Sequence, residues 1–141
     1  MRLLATSMDV ELVSITWLKP HEEVKPKNVD VLHEMTLRWS AYTKPLLVDR
    51  DTGTILDGHH RYHVGMRIGL SRLPVIKVDY LSDDGIELDI WPASQLEYLT
   101  KQEVIDMALS NCVFPPKTSR HRFSDHMPPI AIPLDLLRID D

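Results

Sequence analysis

Cysteine is nearly absent: Cys112 is the single thiol in 141 residues. One thiol cannot build an intramolecular disulfide framework, and such scarcity fits a reducing compartment. Positive charge is also short, with 16 Lys and Arg against 21 Asp and Glu and a formal net charge of -5. Phosphate backbones call for clustered cations, so this balance gives no sign of DNA or RNA binding. No run approaches the roughly 18 apolar residues that a membrane span needs. The opening stretch MRLLATSMDVELV is interrupted by Thr6, Ser7 and Asp9, too broken for a secretory leader. Repeats, low-complexity tracts and obvious linkers are missing as well. What remains is an ordinary globular composition, 43% hydrophobic and 26% charged, at a length that suits one compact domain. The expectation is a cytoplasmic single domain over residues 1–141, meeting neither nucleic acid nor membrane.

Along the chain, VELVSITWL (10–18) alternates apolar and polar positions and reads as a strand ended by Pro20. NVDVLHEMTLRW follows a polar loop, with Asn28 as a candidate N-cap and Val31, Leu32, Met35 and Trp39 at helical spacing. KPLLVDRDTGTILDG predicts two short strands around a turn at Asp51-Thr52-Gly53. A helix is expected from His59, closed by Gly69. LPVIKVDY and IELDIW read as further strands, and Thr100 with Glu103 forms a capping-box pattern opening a helix through Leu109. The stretch VFPPKTSRHRFSDHMPPIAIPLDLL holds five prolines in 25 positions, which blocks long regular structure. Its Ile130, Ile132, Leu134 and Leu137 give it something to dock with, so residues 112–141 are expected as an extended arm held against the body. The element order argues for a small mixed α/β domain, with a mixed sheet and flanking helices.

Chemistry concentrates at the strand-to-helix junction ILDGHHRYHVGMRIGL (55–70). A helix N-terminus presents unpaired N–H groups and partial positive charge, and Gly58 would let an anion approach them. His60 and Arg61 could add side-chain donors. The plain alternative is that Asp57 merely caps the helix while His and Arg face water. Neither GxxxxGK[ST] nor GxGxxG occurs, which excludes P-loop and Rossmann phosphate sites. His59 and His63 share a helix face and could begin a zinc site with His33, His121 or His126. No HExxH and no cysteine pair supports that reading, and no metal ligand is assigned. Two loops add candidates. LKPHEEV places His21, Glu22 and Glu23 just after a strand, and PPKTSRHRF places Lys117, Thr118, Ser119, Arg120 and His121 in succession. The first could be a solvated acidic turn and the second a plain tail; docked, the second is an anion clamp.

These residues resemble a known pattern. The junction is similar to the Gly-x-His-Arg element of the ParB/sulfiredoxin superfamily, and the chain as a whole resembles the archaeal ADP-dependent serine kinases of that fold. LKPHE, TKPLLV with TILDGHHRY and VDY, WPA and VFPPKTSRH occur in the family's order, roughly over residues 10 to 137. Sulfiredoxins carry a reactive cysteine just before the His-Arg pair. His59 stands there instead, so phosphoryl-cysteine chemistry has no nucleophile. Nothing here supplies the helix-turn-helix segments of ParB proteins.

The resemblance implies a ParB/sulfiredoxin-like fold and a kinase moving a phosphoryl group from ADP or ATP to free L-serine. It implies Glu22 as catalytic base and Asp57 as a second required carboxylate. Gly58, His59, His60, Arg61, Lys117 and Arg120 would hold nucleotide phosphates, and Trp91, Thr118, Ser119 and His121 would hold substrate. The plainer alternative for Trp91 is a core aromatic. Mg2+ would ride mainly on the phosphates. The larger archaeal kinases carry a segment between the WPA strand and the arm that a short helix near 101–110 replaces here, leaving the donor and the acceptor alcohol open. The alternative is a non-catalytic ParB-like nucleotide sensor.

Overall fold

The computed structural model describes residues 9–92, 94, 96–123 and 127–139. A four-stranded mixed sheet forms its centre, in the order β1 (Glu11–Ser14), β5 (Arg72–Val78), β3 (Leu46–Asp49), β4 (Ile55–Asp57). The β3–β5 pair is parallel, and the two outer pairs are antiparallel. Strand periodicity sorts the apolar side chains onto two faces. Leu46, Val48, Ile55, Leu73 and Val75 enter one buried cluster, whereas Leu47, Leu56, Ile76 and Val78 enter another. A sheet buried on both faces is why these strands read as nearly continuous apolar runs. The small mixed α/β domain with flanking helices is borne out.

The first strand is shorter than the alternation implies. Ser14 ends it, because its hydroxyl accepts from the Thr16 amide and opens a 3-10 turn over Ile15–Trp17. Helix α1 (Pro26–Trp39) begins two residues before Asn28, with Lys25 at the N-cap and no side-chain cap. Proline's fixed φ suits the first helical position, so Pro26 outranks the Asn28 signal. The expected apolar face of α1 is also corrected. Val31, Met35 and Trp39 are exposed, and the buried positions are Val29 and Thr36. Thr36 can face inward because its hydroxyl donates to the Leu32 carbonyl. A short strand β2 (Ala41–Tyr42) leads into β3.

Helix α2 (His59–Ile68) and its glycine stop match the sequence reading, with Gly69 in the left-handed region at φ 82. Strand β6 (Ile86–Ile90) and helix α3 (Lys101–Leu109) close the second cluster through Ile86, Val104 and Ile105. The capping box of α3 is present, with Thr100 and Glu103 bonded reciprocally.

The proline-rich C-terminal stretch is paired with the body at two places. Strand β7 (Ser119–Phe123) runs antiparallel to β6, and β8 (Ile132–Pro133) runs antiparallel to β2. The final turn, α4 (Leu134–Leu137), buries Leu134 and Leu137 in the first cluster. Two leucines there contribute about 2 kcal/mol each by burial. Among the described residues no helix is long and apolar enough to cross a membrane.

Candidate active site

Three chain segments meet at the end of β4. After Lys19, the loop runs beside β4, with the Lys19 amide donating to Gly53 and the Ile55 amide donating to Lys19. This lays His21 and Glu22 next to the β4–α2 junction. The arm approaches from the other side: the Phe114 amide donates to the His21 carbonyl and the Glu23 amide to the Phe114 carbonyl, both at 2.8 Å. Between them lies a cleft of about 270 Å³.

Glu22 is held by the arm's backbone. Its Oε1 accepts from the Ser119 amide at 2.8 Å, the Ser119 hydroxyl at 3.0 Å and the Thr118 amide at 3.2 Å. Lys117 makes the bend that aims these amides, at φ 58. All three bonds fall on Oε1, which leaves Oε2 as the oxygen able to take a proton. Burial pushes the Glu22 carboxyl above the usual carboxylate range, and the Ser119, Thr118 and Lys117 donors offset part of that rise. A partly buried carboxylate of raised proton affinity is a competent general base.

The junction supplies anion-binding groups. Gly58 is the N-cap of α2, at φ 109, and no side chain caps the helix. A Cβ there would sit 2.7 Å from Leu46 Cγ, so the position requires glycine on two counts. Asp57 is therefore not the cap. Its side chain is mostly exposed, and it forms an i,i+4 pair with Arg61 at 3.4 Å. The N-terminus of α1 also opens on the cleft through Lys25 and Asn28. Two uncapped helix N-termini converging on one space make an anion site of backbone dipoles. His60 Nε2 and Arg120 Nε are buried without a hydrogen-bond partner and belong to side chains on the cleft wall. Buried polar atoms of this kind call for an explanation, and an anion's oxygens would provide one.

Trp91 closes the outer edge. The Arg120 guanidinium lies 4.7 Å from its ring centroid and the Lys117 ammonium 5.5 Å. Asp89 orients this group by pairing with Arg120 at 3.1 Å and Arg122 at 2.7 Å. These bonds, led by the one from Arg120, hold the Asp89 carboxyl below its ordinary range. Trp91 is half-buried at this rim and stands outside both buried clusters.

Under the cleft, three histidine rings stack edge to face, with His21 centred 4.6 Å from His59 and 5.7 Å from His121. Burial pushes His21 down to about 4, partly offset by the Ile55 carbonyl. Burial likewise takes His121 down to about 3, with His21 and Lys101 lowering it further and the Leu56 carbonyl opposing. His59 Nε2 accepts from the His21 amide at 3.1 Å, so its ring proton sits on Nδ1. His121 Nε2 meets the Tyr80 hydroxyl at 2.7 Å. Among the described residues no three His, Cys, Asp or Glu side chains converge as a metal cage. His126, once a possible zinc ligand, lies outside the described residues.

The cleft thus gathers Glu22, Asp57, Gly58, His59 and His60 with Trp91, Lys117, Ser119, Arg120 and His121. It does not gather Arg61 or the Thr118 side chain. Arg61 donates to the Pro45 carbonyl and lines a neighbouring cavity of about 700 Å³, with Asp57 on the wall between the two. The Thr118 hydroxyl donates to the Pro115 carbonyl at 2.7 Å, leaving only its amide for the site. Lys25, and Asn28 beyond its reading as a helix cap, were not among the expected site residues; the helix-start signal at Pro26, taken with Lys25, could have found them.

Comparison with known proteins places this geometry. No family model matches the chain. A ParB-like protein of Sulfolobus acidocaldarius is 37% identical over 86 residues, covering 61% of this chain and 42% of the relative. The ADP-dependent L-serine kinase SerK of Thermococcus kodakarensis is 31% identical over 81 residues, 55% of this chain and 34% of that protein. An ATP-dependent L-serine kinase of Staphylothermus marinus is 30% identical over 84 residues, 57% of this chain and 33% of that protein. The chain therefore spans less than half the length of the curated relatives it matches. Among solved structures, a free serine kinase in complex with AMP superposes with a TM-score of 0.83 at 17% identity, over 94% of this chain and 95% of that one. The chain has the fold of the free serine kinases. The likeness to serine kinases and ParB-like proteins read from its motifs is borne out.

Proposed function

We propose that the protein is a kinase that transfers a phosphoryl group from ADP or ATP to the hydroxyl of free L-serine, giving O-phospho-L-serine. The observation that carries this reading is the anchored Glu22 carboxylate, with three donors on Oε1, beside two uncapped helix N-termini. Serine kinases among the relatives, using ADP in one case and ATP in another, supply the acceptor and the choice of donors.

In this mechanism the donor's phosphates lie on the N-termini of α1 and α2, with Lys25, His60, Lys117 and Arg120 around them. The serine hydroxyl oxygen attacks the terminal phosphorus and Glu22 Oε2 takes its proton. The new O–P bond forms as the bond from phosphorus to the bridging oxygen breaks, and the nucleotide leaves with that electron pair. Asp57, at the mouth of the junction, orients the reacting groups. Most of the rate comes from positioning and charge neutralisation, as in phosphoryl transfer generally. Mg2+ bound to the phosphates would neutralise their charge. With no converging triad of ligands among the described residues, phosphate oxygens are its fitting partners, and we assign it no protein ligand. A cytoplasmic setting fits the single, exposed Cys112.

The test is an incubation of purified protein with L-serine, Mg2+ and either ADP or ATP, read by mass spectrometry. Phosphoserine with one donor supports the proposal. Nucleotide binding without phosphoserine under both donors would replace it with the sensor reading.

A further inference from the structure

Beneath the carboxylate that the proposed mechanism uses lies a side-chain network with no role in it so far. Ser119 Oγ stands 3.0 Å from Glu22 Oε1 and 3.1 Å from His21 Nε2. Both Ser119 and His21 are buried, the latter to 1% exposure. A serine hydroxyl has one hydrogen, and an ionised carboxylate can only accept. Ser119 must therefore donate to Glu22, and its oxygen must accept from His21. With Glu22 ionised, the His21 proton sits on Nε2; the Ile55 carbonyl faces the ring, yet Nδ1 is buried without a hydrogen bond of good geometry. An orphaned buried acceptor costs on the order of 1–3 kcal/mol. A chain that keeps a histidine there at that cost obtains a donor aimed at Ser119.

We propose that His21 and Ser119 are a positioning pair: His21 Nε2–H orients the Ser119 hydroxyl, which pins Glu22 Oε1 so that Oε2 faces the acceptor alcohol as the ionised base. The pair touches neither phosphorus nor substrate and acts through Glu22. It rests on the phosphotransfer reading for its purpose, but its direct consequence is a property of Glu22 itself. The hydroxyl stabilises the carboxylate against the burial that raises its proton affinity. The histidine must remain neutral, and its burial favours the neutral ring. The remaining charged and titratable groups around Glu22 are Glu23 and Lys25 on the entry to α1, Asp57, His59 and His60 at α2, and Lys117, Arg120 and His121 on the arm. All of these stay in place in the variants below.

The experiment is a carbon-13 carboxyl NMR titration of the nucleotide-free protein labelled at glutamate, with the Glu22 signal assigned by its loss in Glu22→Gln. Ser119→Ala should raise the Glu22 midpoint by roughly one unit, the loss of one hydrogen bond to a charged group. His21→Leu should raise it by less, and His21→Gln, whose amide can place a donor near the Nε2 position, should return it toward the parent value. In pH–rate profiles the acid limb should move with the same order of variants. An unchanged Glu22 midpoint in Ser119→Ala, or His21→Gln behaving like His21→Leu, overturns the pair. Should Ser119→Ala fail to fold, the two His21 variants decide the matter alone. The titration needs no turnover, so a protein that makes no phosphoserine would sink the proposed function and still leave this result readable.

Discussion

The two walls of the cleft are built by opposite means. The junction wall, Ile55 to Arg61, is main chain fixed by a buried sheet and by a glycine at φ 109 packed on Leu46. The arm wall, Phe114 to Phe123, pairs with β6 at one edge and is fastened at the cleft by bonds to Glu22, the proposed base. One wall would keep its shape whatever stood at position 22. The other depends on the carboxylate proposed as the base. The lesson is that Glu22 anchors the arm at Oε1, a task separable from the proton acceptance proposed for Oε2.

Glu22→Gln separates them most sharply. The amide keeps an oxygen for the arm donors but cannot take a proton, so turnover should fall by roughly 10²–10⁴ while ADP affinity holds. Steady-state kinetics beside calorimetric titration would check both halves, and near-parental turnover would break the comparison on the chemical side. The rigid wall is probed by Gly58→Ala. A left-handed φ and a 2.7 Å approach to Leu46 should together cost about 2–3 kcal/mol, read from urea denaturation. A smaller loss than that of an ordinary surface change would mean that the junction bends more readily than its geometry implies.

Anchorage is tested by Glu22→Ala against Glu22→Gln in hydrogen exchange. Alanine should speed exchange at the Thr118 and Ser119 amides by roughly tenfold, in keeping with the loss of about 1.5 kcal/mol of local stability. Glutamine should leave them close to parental. Equal rates in both variants would show that β6 pairing alone holds the arm.

The last test concerns the histidine stack under both walls. His21 and His121 have folded values near 4 and 3, well below the ordinary 6.5, so the unfolded chain binds more protons between these limits. Their contribution to stability is therefore complete above about pH 6.5 and is lost as the pH falls toward 4 and 3. The midpoint of thermal unfolding should drop by on the order of 10 °C between pH 7 and pH 5. An unchanged midpoint would contradict neutral burial of these rings.

Much of this molecule was legible in its sequence where a local rule has few competitors. Gly69 as a helix stop and Thr100 with Glu103 as a capping box are short-range signals, and the structure keeps them. The junction Asp57-Gly58-His59-His60 and the distant Lys117 to His121 could be tied to one site because their residue types share a chemistry. What failed was direction. The α1 stripe Val31, Met35, Trp39 has helical spacing and faces outward, since periodicity fixes a face but not which face is covered. Arg61 and Thr118 lie in the right segments, yet one bonds to Pro45 and the other to Pro115. Side-chain aim depends on backbone neighbours far away in sequence, and no spacing rule carries it. Arm anchorage on Glu22 was equally out of reach, because it depends on the bend at Lys117, a non-glycine residue in the left-handed region.

The central claim is that the anchored carboxylate makes this fold a serine kinase. The most direct measurement is phosphoserine production from L-serine, Mg2+ and ADP or ATP by the parent protein and by Glu22→Gln, run side by side with nucleotide binding measured on both. The account predicts product from the parent with at least one donor, product reduced by at least about a hundredfold in Glu22→Gln, and similar nucleotide affinity in the two. No phosphoserine from the parent with either donor, or equal production by both proteins, would contradict it.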